Sequence, residues 1–272
     1  MTTPPSFDEL FNAWQSGNAA VRELMEGLTP EQLALETGCS AWKVQDVFAH
    51  IIDIECLMAG DPPMQHEPNW DALAPLGRSG RVTEIGVDAR RGRSLVALIS
   101  EFDDINARRT AQFQANSHEL TSTVKGPTGT DWPLQLALEM RINDTWVHEQ
   151  DIRAAVGIQG NLDNLGALIS ARSLLGMLPY AWSKNVQAPA GSSVEMRITS
   201  PFEMSGQAIS DAEGRAAVTS GVTADVVVSG PWSALLPLLA GRSKSSELIA
   251  QLEVTGNQDL GSRFLAGMDV TP

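Results

Sequence analysis

The sequence predicts an α+β protein, an antiparallel four-helix bundle followed by a small α+β domain. Up to Val156 the chain carries long runs with apolar residues at three- and four-residue steps, the period of helices with one buried face. After Gly160 the runs shorten, alternate and become rich in valine and isoleucine, the pattern of strands. A length of 272 residues suits two domains, each with its own core, and places them at 1–160 and 161–272.

Pro5-Ser6 supplies a cap for a first helix from Phe7 to about Leu28, with Leu10, Phe11, Trp14, Val21, Leu24 and Met25 on its apolar stripe. Thr29-Pro30-Glu31-Gln32 starts a short second helix, with proline at the first helical position. Ser40 is the expected cap of a helix through His50 that Asp61-Pro62-Pro63 stops near Gly60. Residues 61–80 read as an irregular loop able to lie over a site. Thr83 to about Asn116 reads as one long amphipathic helix, interrupted only by Gly92. A hairpin-like segment at 121–132 precedes a helix from Leu134 to Val156, which Gly157 ends.

In the second domain a helix from Leu162 to about Lys184 is kinked by Pro179. Strands follow at Val194–Thr199, Glu203–Ile209, Ala216–Thr219 and Asp225–Ser229, with Gly214 turning the second into the third. Trp232–Leu239 reads as a helix ended by Gly241, then a strand near Leu252–Thr255 and a short helix Leu260–Leu265 complete the domain.

Lys and Arg total 19 against 33 Asp and Glu, a net charge of −14. Nucleic acid and anionic membrane surfaces need a positive field, so neither is an expected partner. The apolar runs are too short to span a bilayer and the first residues do not form a signal peptide, so a cytoplasmic location is expected. The chain is expected to be a monomer or small homo-oligomer. Two cysteines, Cys39 and Cys56, form no CxxC pair and read as packed or incidental thiols.

The chemistry centres on Asp144-Thr-Trp-Val-His148. Four residues slightly exceed one helical turn, so Asp144 and His148 share a face and offer a carboxylate beside an imidazole. His50 lies on the third helix among apolar neighbours, and a bundle can bring it alongside. Three such side chains suit one divalent ion and leave coordination positions open. Asp144 could instead pair with Arg141. Asp53 and Asp151, each three residues beyond a histidine, could accept the other imidazole N–H or pair with Arg153. His66 and His118 lie in or near polar loops and read as exposed.

Ser40-x-Trp42-x-Val44-x-Asp46-Val47-x-Ala49-His50 and Arg141-x-Asn143-Asp144-x-Trp146-Val147-His148-Glu149-Gln150-Asp151-Ile152-Arg153 resemble the mycothiol-dependent maleylpyruvate isomerase family, within the DinB-like bundle group. Asp225–Gly230, Leu238-Leu-Ala-Gly-Arg242 and Glu253-Val-Thr-Gly256 resemble that family's α+β tail, so the likeness spans nearly the whole chain. The resemblance implies Zn²⁺ held by His50, Asp144 and His148, with mycothiol as the low-molecular-weight thiol that binds the metal as thiolate. The ligand set alone would equally suit Fe(II) or Mn(II). The family usually has glutamate where this chain has Asp144, shorter by one methylene. Arg242, by resemblance, and Arg81, in the loop before the long helix, are the expected anion-binding residues for a carboxylate substrate.

The expected reaction is addition of a thiolate to a small-molecule electrophile, giving cis–trans isomerisation of a maleylpyruvate-type substrate or S-transfer. Coordination supplies the thiolate, because a thiol with a pKa near 8.5 is mostly protonated at neutral pH. The alternative is a non-catalytic metal- or ligand-binding module, for example a stress-response protein, on the same bundle.

Overall fold

The computed structural model describes residues 5–39, 42–73, 78–115, 119–243 and 245–270. Ser6 opens helix α1 (Phe7–Glu26) through a reciprocal cap, its hydroxyl accepting from Glu9 N–H at 3.3 Å and its own N–H donating to the Glu9 carboxylate at 2.8 Å. Thr29 and Gln32 cap the short helix α2 (Pro30–Leu33) in the same way. Helix α3 (Val44–Met58) starts after Lys43, whose N–H donates to Asp46 at 3.1 Å. The cap expected at Ser40 lies outside the described residues.

The single long helix expected from Thr83 is two helices, α4 (Arg78–Asp88) and α5 (Leu95–Ala115). The break spans more than Gly92: the backbone turns at Arg90, Arg91 and Arg93, and the Ser94 hydroxyl then accepts from Ala97 N–H at 3.3 Å to start α5. Arg81 therefore sits on α4 rather than in a loop. A hairpin of β1 (Thr123–Lys125) and β2 (Asp131–Pro133) leads into α6 (Leu134–Val156). Gly157 ends α6 at φ 72°, a left-handed conformation that glycine adopts without steric cost.

The chain divides into two compact units, Met1–Gly160 and Asn161–Pro272. In the first, α1 packs on α5 and α6, and α3 packs on α4, α5 and α6. Val21, Met25, Val47, Phe48, Ile51, Leu98 and Phe102 form the fully buried centre of this bundle. Burying each such side chain contributes about 1.5–3 kcal/mol of transfer free energy, enough to hold polar groups in place nearby.

The second unit opens with α7 (Leu165–Gly176), α8 (Leu178–Tyr180) and a π-turn at Ala181–Asn185, so the expected long helix is broken around Pro179. Five strands, β3 (Ser193–Ile198), β4 (Met204–Ser210), β5 (Ala216–Thr219), β6 (Val226–Gly230) and β7 (Glu253–Gly256), form a sheet of order β5-β4-β3-β6-β7. Pairing is antiparallel except between β3 and β6, where Val194 lies beside Val226 in parallel register. Helices α9 (Trp232–Leu239), α10 (Ser246–Ile249) and α11 (Gln258–Gly267) complete the unit. The observed class is α+β with an N-terminal helical bundle. Among the described residues no helix is long and apolar enough to cross a membrane.

Candidate metal centre

Helices α3 and α6 bring His50, Asp144 and His148 together, with one donor atom from each lying within 4.8 Å of the others. His50 Nε2 is 3.4 Å from Asp144 Oδ2, and His148 Nε2 is 3.7 Å from Asp144 Oδ1. The two imidazoles meet edge to face with centroids 4.8 Å apart. Both histidines are buried, at 5% and 6% exposure.

The second ring nitrogens differ. His148 Nδ1 is 2.9 Å from Asp151 Oδ2, the bond anticipated for that carboxylate. His50 Nδ1 is buried without a partner. Asp53, the acceptor anticipated for it, turns instead to Arg90 Nη1 at 2.7 Å, and Arg90 is itself buried. Arg153, a possible competitor for both carboxylates, binds Glu149 at 2.7 Å.

Protonation follows these environments. Burial pushes the His50 imidazolium below its ordinary range despite the Asp144 charge. Burial opposes the charge on His148 as well, but the Asp144 charge and the bond to Asp151 outweigh it and raise the group to about 10. Burial would raise Asp144, yet the charges of His50, Arg141 and His148 hold it well below the usual carboxylate range. Without a cation, the proton shared around this cluster therefore rests on His148.

Three further side chains border the cluster, and of these the sequence pointed only to Arg141, as a partner of Asp144. Cys39, expected to be a packed or incidental thiol, donates its thiol hydrogen to Asp151 Oδ2 at 3.2 Å and lies 3.9 Å from His148 Nδ1. The Trp42 ring lies 4.8 Å from His50 and 6.0 Å from His148, and its Nε1–H donates to buried Glu84 on α4 at 2.8 Å. Arg141 donates to Asp144 Oδ2 at 2.7 Å. Trp42 and Arg141 both stand in the two motif stretches; nothing in the spacing of Cys39 points to a partner more than a hundred residues away.

The remaining expected residues make other contacts. Arg81 places its guanidinium over the Trp70 ring at 4.6 Å. Arg242 follows α9 in the second unit and donates through Nη1 to the Ala240 carbonyl at 2.8 Å. His66 meets Asp88 at 2.7 Å, and His118 lies outside the described residues. Cys56 packs against the bundle core, and burial pushes its thiol up to about 11, which suits an inert packed thiol.

A family model described as the mycothiol maleylpyruvate isomerase N-terminal domain matches residues 14–153. The chain belongs to that family. Its fold matches the crystal structure of the mycothiol-dependent maleylpyruvate isomerase at 16% identity, with a TM-score of 0.60, covering 94% of this chain and 96% of that one. A histidine-to-alanine variant of that isomerase matches over the same shares of both chains, at 16% identity and a TM-score of 0.61. No curated protein matches by sequence. All three residues of the cluster, and the Asp151 that orients His148, lie inside the matched family segment.

The cluster's donors fit a divalent cation. Two imidazoles and a carboxylate converge from two helices, and one imidazole is oriented by a carboxylate on its far nitrogen. Buried His50, disfavoured as a cation by its surroundings, offers a neutral nitrogen.

Proposed function

We propose that this protein is a metal-dependent, mycothiol-using isomerase or S-transferase whose cation, Zn²⁺ by family resemblance, is held by His50, Asp144 and His148. The observation that carries the reading is the convergence of those three donors beside the Asp151–His148 bond. When bound, a divalent ion there would lower the pKa of the thiol of mycothiol and leave one or more positions open.

The chain's own residues have distinct tasks in this reading. His50 and His148 supply neutral imidazole nitrogens, which requires His148 to give up the proton that Asp144 and Asp151 favour. Asp151 keeps the His148 ring aligned through Nδ1. Trp42 covers the two rings with an apolar face, limiting water around the cluster. For a maleylpyruvate-type substrate, the thiolate adds to the conjugated double bond to give an enolate, rotation follows about the resulting single bond, and elimination returns the thiolate and the trans product. In S-transfer the adduct leaves instead. Arg242 and Arg81 are proposed to hold the substrate carboxylate; Arg242 rests on family resemblance.

Turnover separates this from a non-catalytic module. The purified protein with mycothiol should isomerise maleylpyruvate or consume thiol with another electrophile, and glutathione should support little activity, because a tripeptide cannot make the sugar's hydrogen bonds. Arg242→Ala should keep the metal and raise KM for an anionic substrate. Metal binding without any thiol consumption across a panel of electrophiles would favour the binding module.

A further inference from the structure

Arg141 stands between two carboxylates. Its Nη1 donates to Asp144 Oδ2 at 2.7 Å, its Nε to Glu55 Oε1 at 2.9 Å and its Nη2 to Thr145 Oγ1 at 3.3 Å. Arg141 is 3% exposed and Glu55 is fully buried. Glu55 also accepts from Trp14 Nε1 at 2.9 Å and Arg109 Nε at 3.3 Å. Trp14 belongs to α1, Glu55 to α3, Arg109 to α5 and Arg141 to α6, so one network ties all four long helices to the oxygen of a candidate ligand.

We propose that Arg141 is a positioning residue for Asp144. By holding Oδ2, which also lies 3.4 Å from His50 Nε2, it fixes the carboxylate plane and keeps Oδ1, the oxygen nearer His148 Nε2, toward a cation, and Glu55 fixes Arg141 in turn. The proposal rests on reading His50, Asp144 and His148 as the cation site. Its physical basis is the planar guanidinium, whose fork can bind two carboxylates at once and hold each in a set orientation. A carboxylate without that clamp is free to rotate, so a cation must fix its orientation on binding and affinity falls. A role confined to stability would act through Glu55 and the bundle and would be indifferent to whether residue 144 can bind a cation.

The test is a double-mutant cycle read by Zn²⁺ affinity, measured by competition with a chromogenic chelator on the full chain. Arg141→Gln should weaken Zn²⁺ binding by about ten- to a hundredfold when Asp144 is present. In the Asp144→Ala background the same substitution should change affinity by less than about twofold, because the group through which it acts is gone. Arg141→Lys keeps a cation beside Glu55 without the fork; it should weaken binding in the same sense, and it replaces the Gln variant if circular dichroism shows that one unfolded. Unchanged or tighter binding with Asp144 present, or equal losses in both backgrounds, overturns the proposal. A wild-type protein that binds no Zn²⁺ would remove the metal reading and this proposal with it, whereas Zn²⁺ bound by wild type with additive effects removes this proposal alone.

Discussion

His148 faces Asp151 through Nδ1 at 2.9 Å and Asp144 through Nε2 at 3.7 Å, so two carboxylates flank one buried imidazole. This arrangement stabilises the imidazolium when no cation is present and orients Nε2 when one is. The same two carboxylates therefore favour a proton and a metal in competition.

Metal binding should release a proton. His148 is raised to about 10 and His50 is lowered, so at neutral pH the metal-free cluster carries its proton on His148, and binding must displace it. Affinity should then rise about tenfold per pH unit from pH 6 to 9, since one proton is exchanged per ion. Calorimetry in buffers of different ionisation enthalpy should report about one proton released at pH 7. Affinity independent of pH between 7 and 9 would show that the proton on His148 is not the competitor.

Asp151 and Asp53 hold equivalent positions after their histidines, yet only Asp151 reaches its ring. Asp151→Ala should lower Zn²⁺ affinity by about ten- to a hundredfold, as loss of an outer partner of a ligating histidine does. Asp53→Ala should leave affinity unchanged and lower stability, because it strips buried Arg90 of one carboxylate. Chelator competition and urea unfolding on both variants separate the two roles; matching losses of affinity would contradict the assignment.

Glu55 should govern acid stability. Burial alone would raise its carboxyl, but Arg141, Arg109 and the Trp14 indole pull it below its ordinary value. A carboxyl depressed in the folded state contributes stability above its unfolded pKa of about 4.3 and loses it as pH falls through the lower folded value. Glu55→Gln should destabilise the bundle by about 3–5 kcal/mol at pH 7, since two buried guanidiniums lose the charged partner they share. The variant's deficit should shrink as pH drops below about 4. Urea titrations at pH 7 and pH 3.5 measure both, and a constant deficit would contradict the assignment.

Much of the fold and the core of the site was legible because it rests on short-range rules. The three-and-four period marks α1, α3 and α6, and four-residue spacing puts Asp144 and His148 on one face. Pairings between helices were not legible. Asp53 turns to Arg90, which sits beyond α4, and a side chain at Gly86 would collide with the Asp53 carboxylate, a constraint visible only in three dimensions. Cys39 meets Asp151 across 112 positions of sequence. The α4–α5 break was readable in part, since Ser94 is a good cap, but the amphipathic period runs on through both helices and conceals it.

Metal stoichiometry on the wild type, His50→Ala and His148→Ala decides whether His50, Asp144 and His148 hold one divalent ion. After Zn²⁺ supplementation and desalting, elemental analysis should find about one equivalent in wild type and little in either variant, with helical content unchanged, because a catalytic-type site uses each ligand and the bundle core does not depend on the ion. About one equivalent retained in both variants, or none in wild type, would contradict the account.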